Sequence, residues 1–458
     1  MNAAALTAGA GAWLQRHGTL IRRVQWLVVA FYAVLVVVPA LLPLPDETSH
    51  VFNHLTVFAQ FVFWGLWWPF VLVSMVLVGR VWCGILCPEG ALSEWASRHG
   101  RHRAIPRWMT WGGWPFVAFA GTTIYGQMVS VYQYPKAVLL VLGGSTLAAM
   151  VVGFLYGREK RVWCKYLCPV NGVFALLAKL APLHMRVAPQ AWRASYANTI
   201  RIQPVNCAPL VPLRSMVGAS DCHMCGRCSG HRGAIDLTPR ASSQEVVDLG
   251  ATQATGWQAL LILFGLLGLA IGAFQWTVNP HVVLVKQRIA EWLIERDVLW
   301  PLADNAPWWL LTHYPEQRDV FNWLDGAMVV GSIVGTGLLM GGVLSLLLAT
   351  AIRILGPWQR QRFFHLSQAL IPLAGCGVFL GLSALTVSLL RAEGMQLGWV
   401  TDVRLLLLAG ATLWSLRLAV GVVSRYPSPW ARRTIALALF LCALATVDYA
   451  WTLMFWIW

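Results

Sequence analysis

The chain alternates long uncharged runs with short polar joints. Apolar segments near 24–45, 55–79, 108–128, 137–157, 257–278, 327–352, 367–390, 404–424 and 434–456 each approach the roughly 20 residues that a helix needs to cross a bilayer. They predict about nine transmembrane helices, the eighth carrying Arg417. The first run is too long for a signal-peptide core and lacks a small-residue cleavage site, so it is expected to remain as an uncleaved span. Between the fourth and fifth runs lies one sizeable polar stretch, about 184–250. Apolar burial alone holds so short a segment poorly, so a metal centre is expected to hold it. A second polar interruption, 279–325, has helical spacing of apolar residues at 283–295 (Val283, Leu284, Ile289, Trp292, Leu293). That is the pattern of an amphipathic helix on a membrane surface. Residues 300–323, rich in Trp and Pro, should then sit at headgroup depth. The expected fold class is an all-α integral membrane protein in three parts: a four-span region at 1–183, a small insert at 184–250, and a five-span region at 251–458 with the external loop 279–325.

Composition agrees. Of 458 residues, 58% are hydrophobic and 12% charged, against about 25% charged in soluble domains. The net charge of +15 raises nucleic-acid binding as a class. The basic residues instead fall in short clusters at the joints, so a membrane and no nucleic acid is expected. Arg22/Arg23, Arg98/Arg101/Arg103/Arg107, Arg158/Lys160/Arg161, Arg353/Arg360/Arg362 and Arg425/Arg432/Arg433 fall on one side of nine alternating spans. Asp46/Glu47, Lys136, the mixed loop 279–325 and Arg391/Glu393/Asp402 fall on the other. The positive-inside rule then places the N-terminus in the cytoplasm and the C-terminus outside.

The candidate chemistry is cysteine chemistry. Residues 80–88 read R-V-W-C-G-I-L-C-P and residues 161–169 read R-V-W-C-K-Y-L-C-P, identical at seven of nine positions. Both copies follow an even-numbered span, so they emerge on one side as a parallel repeat about an axis along the membrane normal. A C-x-x-x-C pair on a helix puts both sulfurs on one face. Cys83, Cys87, Cys164 and Cys168 can thus offer four thiolates to one centre, and a disulfide is disfavoured in the reducing cytoplasm. The insert contains D-C-H-M-C-G-R-C-S-G-H-R-G, with Cys222, Cys225 and Cys228 as C-x-x-C-G-x-C. Three thiolates so spaced wrap one corner of a cubane iron–sulfur cluster, whereas zinc sites favour paired C-x-x-C knuckles. Bacterial ferredoxins continue with x-x-x-C-P, but position 232 is Arg. The fourth ligand must come from elsewhere, and Cys207 is the nearest candidate. Cys376 and Cys442 stand alone in apolar runs, as packing residues do.

Two W-C-x-x-L-C-P motifs at span ends, followed by C-x-x-C-G-x-C, resemble the membrane-bound polyferredoxins of the NapH and NosR type over about residues 20–240. The segment from Cys207 through Leu213-Arg214 to Cys222 also resembles the ferredoxin stretch of the related cytochrome-oxidase assembly proteins, where an upstream cysteine completes the cluster. The resemblance implies 4Fe-4S clusters, two by the count of eight motif cysteines. It implies an electron carrier of the bacterial inner membrane that works with a redox protein partner or quinone. This chain departs from the pattern in having one reduced ferredoxin motif and five additional C-terminal spans.

Other readings are weaker. Nothing indicates a pocket for acid–base catalysis, so the chain is expected to carry electrons rather than to act as an independent catalyst. A soft-metal carrier, for copper for instance, would use thiolate pairs, but Met340, Met395 and Met454 mark no path through the spans. Haem b would need His within helices, whereas His54 and His365 lie near span ends and His281 and His313 in the outer loop. His184, His223 and His231 flank the cluster region and are expected to face solvent or backbone. Arg417 and Asp448 lie inside spans, where ionisable residues suggest function, either as a pair or with Arg417 snorkelling to the cytoplasmic face.

Overall fold

The computed structural model describes residues 3–46, 48–196 and 202–458. Glu47 of the outer-side charges and residues 197–201 of the insert lie outside the described residues. Eight described helices are long and apolar enough to cross a membrane: Gly18–Leu41, Leu55–Val78, Pro135–Tyr156, Gly256–Gln275, Trp323–Leu355, Arg360–Ala392, Val400–Ser424 and Trp430–Ile457. The first ends at Leu41, short of the expected 45, because Pro43 and Pro45 cannot continue a helix. The expected run at 108–128 is a 3₁₀ turn, Arg107–Thr110, then Gly112-Gly113, then a 15-residue helix Trp114–Met128. At 1.5 Å per residue that helix is about 22 Å long, shorter than a hydrocarbon core. A further helix, Ala3–Arg16, precedes the first span and was not expected.

The described chain divides into two compact units. The first comprises Met1–Val38, Phe70–Pro115 and Gly143–Gly250, and holds all eight motif cysteines. In the polar insert, strand β1 (Leu183–Val187) pairs antiparallel with β2 (Ile235–Pro239), Met185 opposite Leu237. The hairpin closes the ends of the insert over Met185, Trp192, Met216, Met224, Ile235 and Leu237, all buried. The insert therefore has a small apolar core of its own, where a metal centre alone was expected to hold it. Helix Ala3–Arg16 packs against β2. Glu245, buried, accepts from the Ala219 and Ser220 amides and pairs with Arg240. Arg240 in turn donates to the carbonyls of Ala178, Lys179 and Ala181 past helix Asn171–Ala178. That chain of bonds ties the entry of the cysteine loop to the end of the second repeat.

The second unit comprises Pro39–Pro69, Phe116–Leu142 and Ala251–Trp458. Its surface helix, Pro280–Glu295, is capped by Asn279 and leaves Val283, Leu284 and Trp292 exposed, as an interfacial helix should. Arg417 is exposed, and Asp448 accepts a hydrogen bond from Thr412 Oγ1 at 3.0 Å. His365 is buried, with Nδ1 2.7 Å from the Tyr426 hydroxyl, and His54 caps Leu55–Gln60 through the Thr56 amide. Cys442 is exposed and Cys376 half-buried.

Candidate metal centres

The two repeated phrases fold alike but not as single helices. Cys83 lies in one wide turn, Trp82–Leu86, and Cys164 in the short helix Val162–Tyr166. In each copy the second cysteine amide donates to the carbonyl of the repeated Trp: Cys87 to Trp82 at 2.9 Å, Cys168 to Trp163 at 3.0 Å. The helix ends between the two sulfurs because a following proline disfavours helical backbone, and Cys87 has φ −65° and ψ 117°. The expected arrangement of both sulfurs along one helix face is thus corrected to a turn closed by a Cys-Pro corner. Cys87 then caps helix Pro88–Arg98, its Sγ accepting from the Gly90 amide at 3.4 Å.

The copies approach each other. Arg161 Nη1 donates to the Cys83 carbonyl at 2.5 Å, and Trp163 Nε1 to Glu89 Oε2 at 3.3 Å. Burial pushes the Cys164 thiol up to about 12 and Cys87 and Cys168 well above the ordinary thiol range; like charge from the neighbouring cysteines and Glu89 adds to the effect. Cys83 and Cys164 are buried and Cys87 and Cys168 half-buried, all four as free thiols.

The insert builds the second set. Left-handed backbone at Met224 (φ 52°) and Gly226 (φ 74°) curls the chain between Cys222 and Cys228. Gly226 also abuts the N-terminal helix: a Cβ there would stand 2.3 Å from Leu14 Cβ. Cys207 is drawn in by the second repeat, whose Lys160 Nζ donates to the Cys207 carbonyl at 3.2 Å and whose Arg161 amide donates to the Ala208 carbonyl at 2.8 Å. Cys207, Cys222, Cys225 and Cys228 line one small cavity, with Met185 and Met216 among its apolar walls. Arg232, where ferredoxins continue with cysteine, turns away; it lies over the Trp192 and Tyr196 rings and donates to Ser195 Oγ at 3.1 Å. Of the histidines expected to face solvent or backbone, His184 and His223 are buried, His184 bonding the Thr238 backbone, and His223 lines the cavity. His231 rests its ring against Trp192.

The two sets touch through the positions at which the repeats differ. A Cβ on Gly84 would stand 2.1 Å from the His223 carbonyl oxygen and 3.0 Å from Cys225 Cα, so only glycine lets the cysteine loop seat there. The matching position in the other copy, Lys165, pairs with Asp221 at 3.2 Å. Both contacts reach the stretch 221–225, and neither was visible from the spacing of the cysteines.

Each donor set offers four cysteines, the ligand chemistry of a cubane. Among the described residues, no three His, Cys, Asp or Glu side chains group as ligands of one ion. A cubane takes each thiolate on a separate iron corner, and its cationic irons favour the thiolate form.

Comparison with known proteins agrees. The 4Fe-4S binding domain family matches twice, over residues 60–106 and 139–187, one C-x-x-x-C-P phrase in each. The chain is 23% identical over 232 residues to the putative electron transport protein YccM of Escherichia coli (strain K12), covering 44% of this chain and 62% of the relative. It is 24% identical over 176 residues to the ferredoxin-type protein NapH of Haemophilus influenzae, covering 34% and 61%. It is 27% identical over 137 residues to the regulatory protein NosR of Pseudomonas aeruginosa, covering 24% and 18%. The matches thus span less than two thirds of each of these relatives' own length. No solved structure matches. The chain is a multi-pass membrane protein with two segments that match the 4Fe-4S binding domain family, and it is similar in part to the ferredoxin-type protein NapH and the regulatory protein NosR.

Proposed function

We propose that the protein carries electrons through two 4Fe-4S clusters, one held by Cys83, Cys87, Cys164 and Cys168, the other by Cys207, Cys222, Cys225 and Cys228. The observation that carries this reading is the cavity in which Cys207 joins the C-x-x-C-G-x-C cysteines. Each cluster supplies one-electron redox chemistry when bound. The chain's part is to bury the thiolates, to turn backbone amides towards them and to hold the two sets in contact at Gly84. A redox protein or quinone would exchange the electrons.

The arrangement also supports a count of nine crossings. Leu14 of the N-terminal helix lies against Gly226 of the insert, so residues 14 and 226 share one side of the membrane. The chain between them crosses an even number of times, and three long helices there leave Trp114–Met128 to make the fourth crossing. The basic joints favour the cytoplasmic face for that side, and the resemblance to NapH and NosR supports a bacterial inner membrane.

Anaerobic analysis should find about eight iron and eight sulfide per chain, four of each per cubane. Cys207→Ser and Cys225→Ser should lose the same paramagnetic signal of the reduced protein, while Cys83→Ser and Cys164→Ser lose the other. An iron count near four removes the second cluster. Loss of the Cys225→Ser signal in Cys168→Ser overturns the grouping of ligands.

A further inference from the structure

Arg161 opens the second repeat and is buried to 1% exposure, yet it is far from a simple packing residue. Its amide holds the carbonyl of Ala208, next to Cys207, at 2.8 Å. Its guanidinium reaches the other way, donating from Nη1 to the carbonyl of Cys83 and from Nε to Glu94 Oε2 at 2.9 Å. Nη2 has no hydrogen-bond partner among the described residues. Glu94, also buried, accepts in turn from Arg227, which lies between Cys225 and Cys228, at 2.8 and 3.0 Å, and pairs with Arg98 at 3.2 Å. One carboxylate thus meets three guanidiniums, and the group keeps a positive excess.

The guanidinium is permanently charged, and Arg161 reaches both sets through the Cys83 and Ala208 carbonyls. Each four-thiolate cubane is an anion that gains one negative charge on reduction, and potential depends on such charge. A cation screened by little water acts strongly on both.

We infer that the Arg161–Glu94 hub is a shared counter-charge, a positioning element that sets the reduction potentials of both centres together and softens the repulsion that reducing one imposes on the other. The inference rests on the two-cluster reading above, and it assigns to the first arginine of the repeated phrase a role beyond cysteine spacing.

The test is a redox titration of the full-length, detergent-solubilised protein, following the paramagnetic signal of each centre. Arg161→Gln should move both midpoint potentials negative, and Arg161→Lys, which keeps the charge, should return both towards the parent value. Glu94→Gln removes the negative member and should move both positive. Shifts confined to one signal, or of the same sign in Arg161→Gln and Glu94→Gln, overturn the inference and leave a local structural role. If Arg161→Gln loses iron, Glu94→Gln decides alone: a positive shift of both signals supports the hub, and any other result refutes it. Failure of the two-cluster reading is recognised separately, by iron and sulfide near four in the unaltered protein, and the hub falls with it.

Discussion

At the scale of residues, the consequential difference is glycine against lysine at matched positions of a repeat. Gly84→Ala would press a methyl group into the His223 carbonyl, and overpacking of this kind costs about 1–3 kcal/mol. The expected outcome is a lower thermal midpoint with loss of the Cys225-dependent signal, while the Cys83-dependent signal persists; unchanged spectra for both would refute the seat. The sequence made the cysteines legible because ligand chemistry dictates residue type and spacing. It did not reveal why Gly84 and Lys165 differ, since their partners lie in a loop far along the chain. The burial of His184 and His223 was likewise not legible, because it comes from the paired strands and the adjoining repeat, which local polarity does not report.

At the scale of elements, the long apolar runs were readable and their ends were not. Prolines 43 and 45 shortened the first span, and Gly112-Gly113 broke the third run into a turn and a short helix. Helix Ala3–Arg16 escaped notice because its alanines and glycines give neither a spanning length nor a strong apolar stripe. Its place against β2 and Gly226 gives it the task of covering the cysteine loop. Deleting residues 3–16 should leave the spans intact and make the Cys225-dependent cluster bleach several-fold faster in air, measured as decay of visible absorbance. Equal bleaching rates would show that the helix does not shield it.

At the scale of the whole molecule, the proposed nine crossings would put residues 14 and 458 on opposite sides of the membrane. A reporter fused after Arg240 should be active only as a cytoplasmic fusion, and one after Trp458 only as an external fusion. Activity of both on one side would mean that Trp114–Met128 does not cross. The order of the parts along the chain also has a consequence for biosynthesis. Cys83, Cys87, Cys164 and Cys168, together with Gly84, Arg161 and Glu94, are all synthesised before Cys207. On the two-cluster reading, every ligand of the proposed membrane-edge centre therefore leaves the ribosome before any ligand of the loop centre, and the seat for the loop at Gly84 precedes the loop.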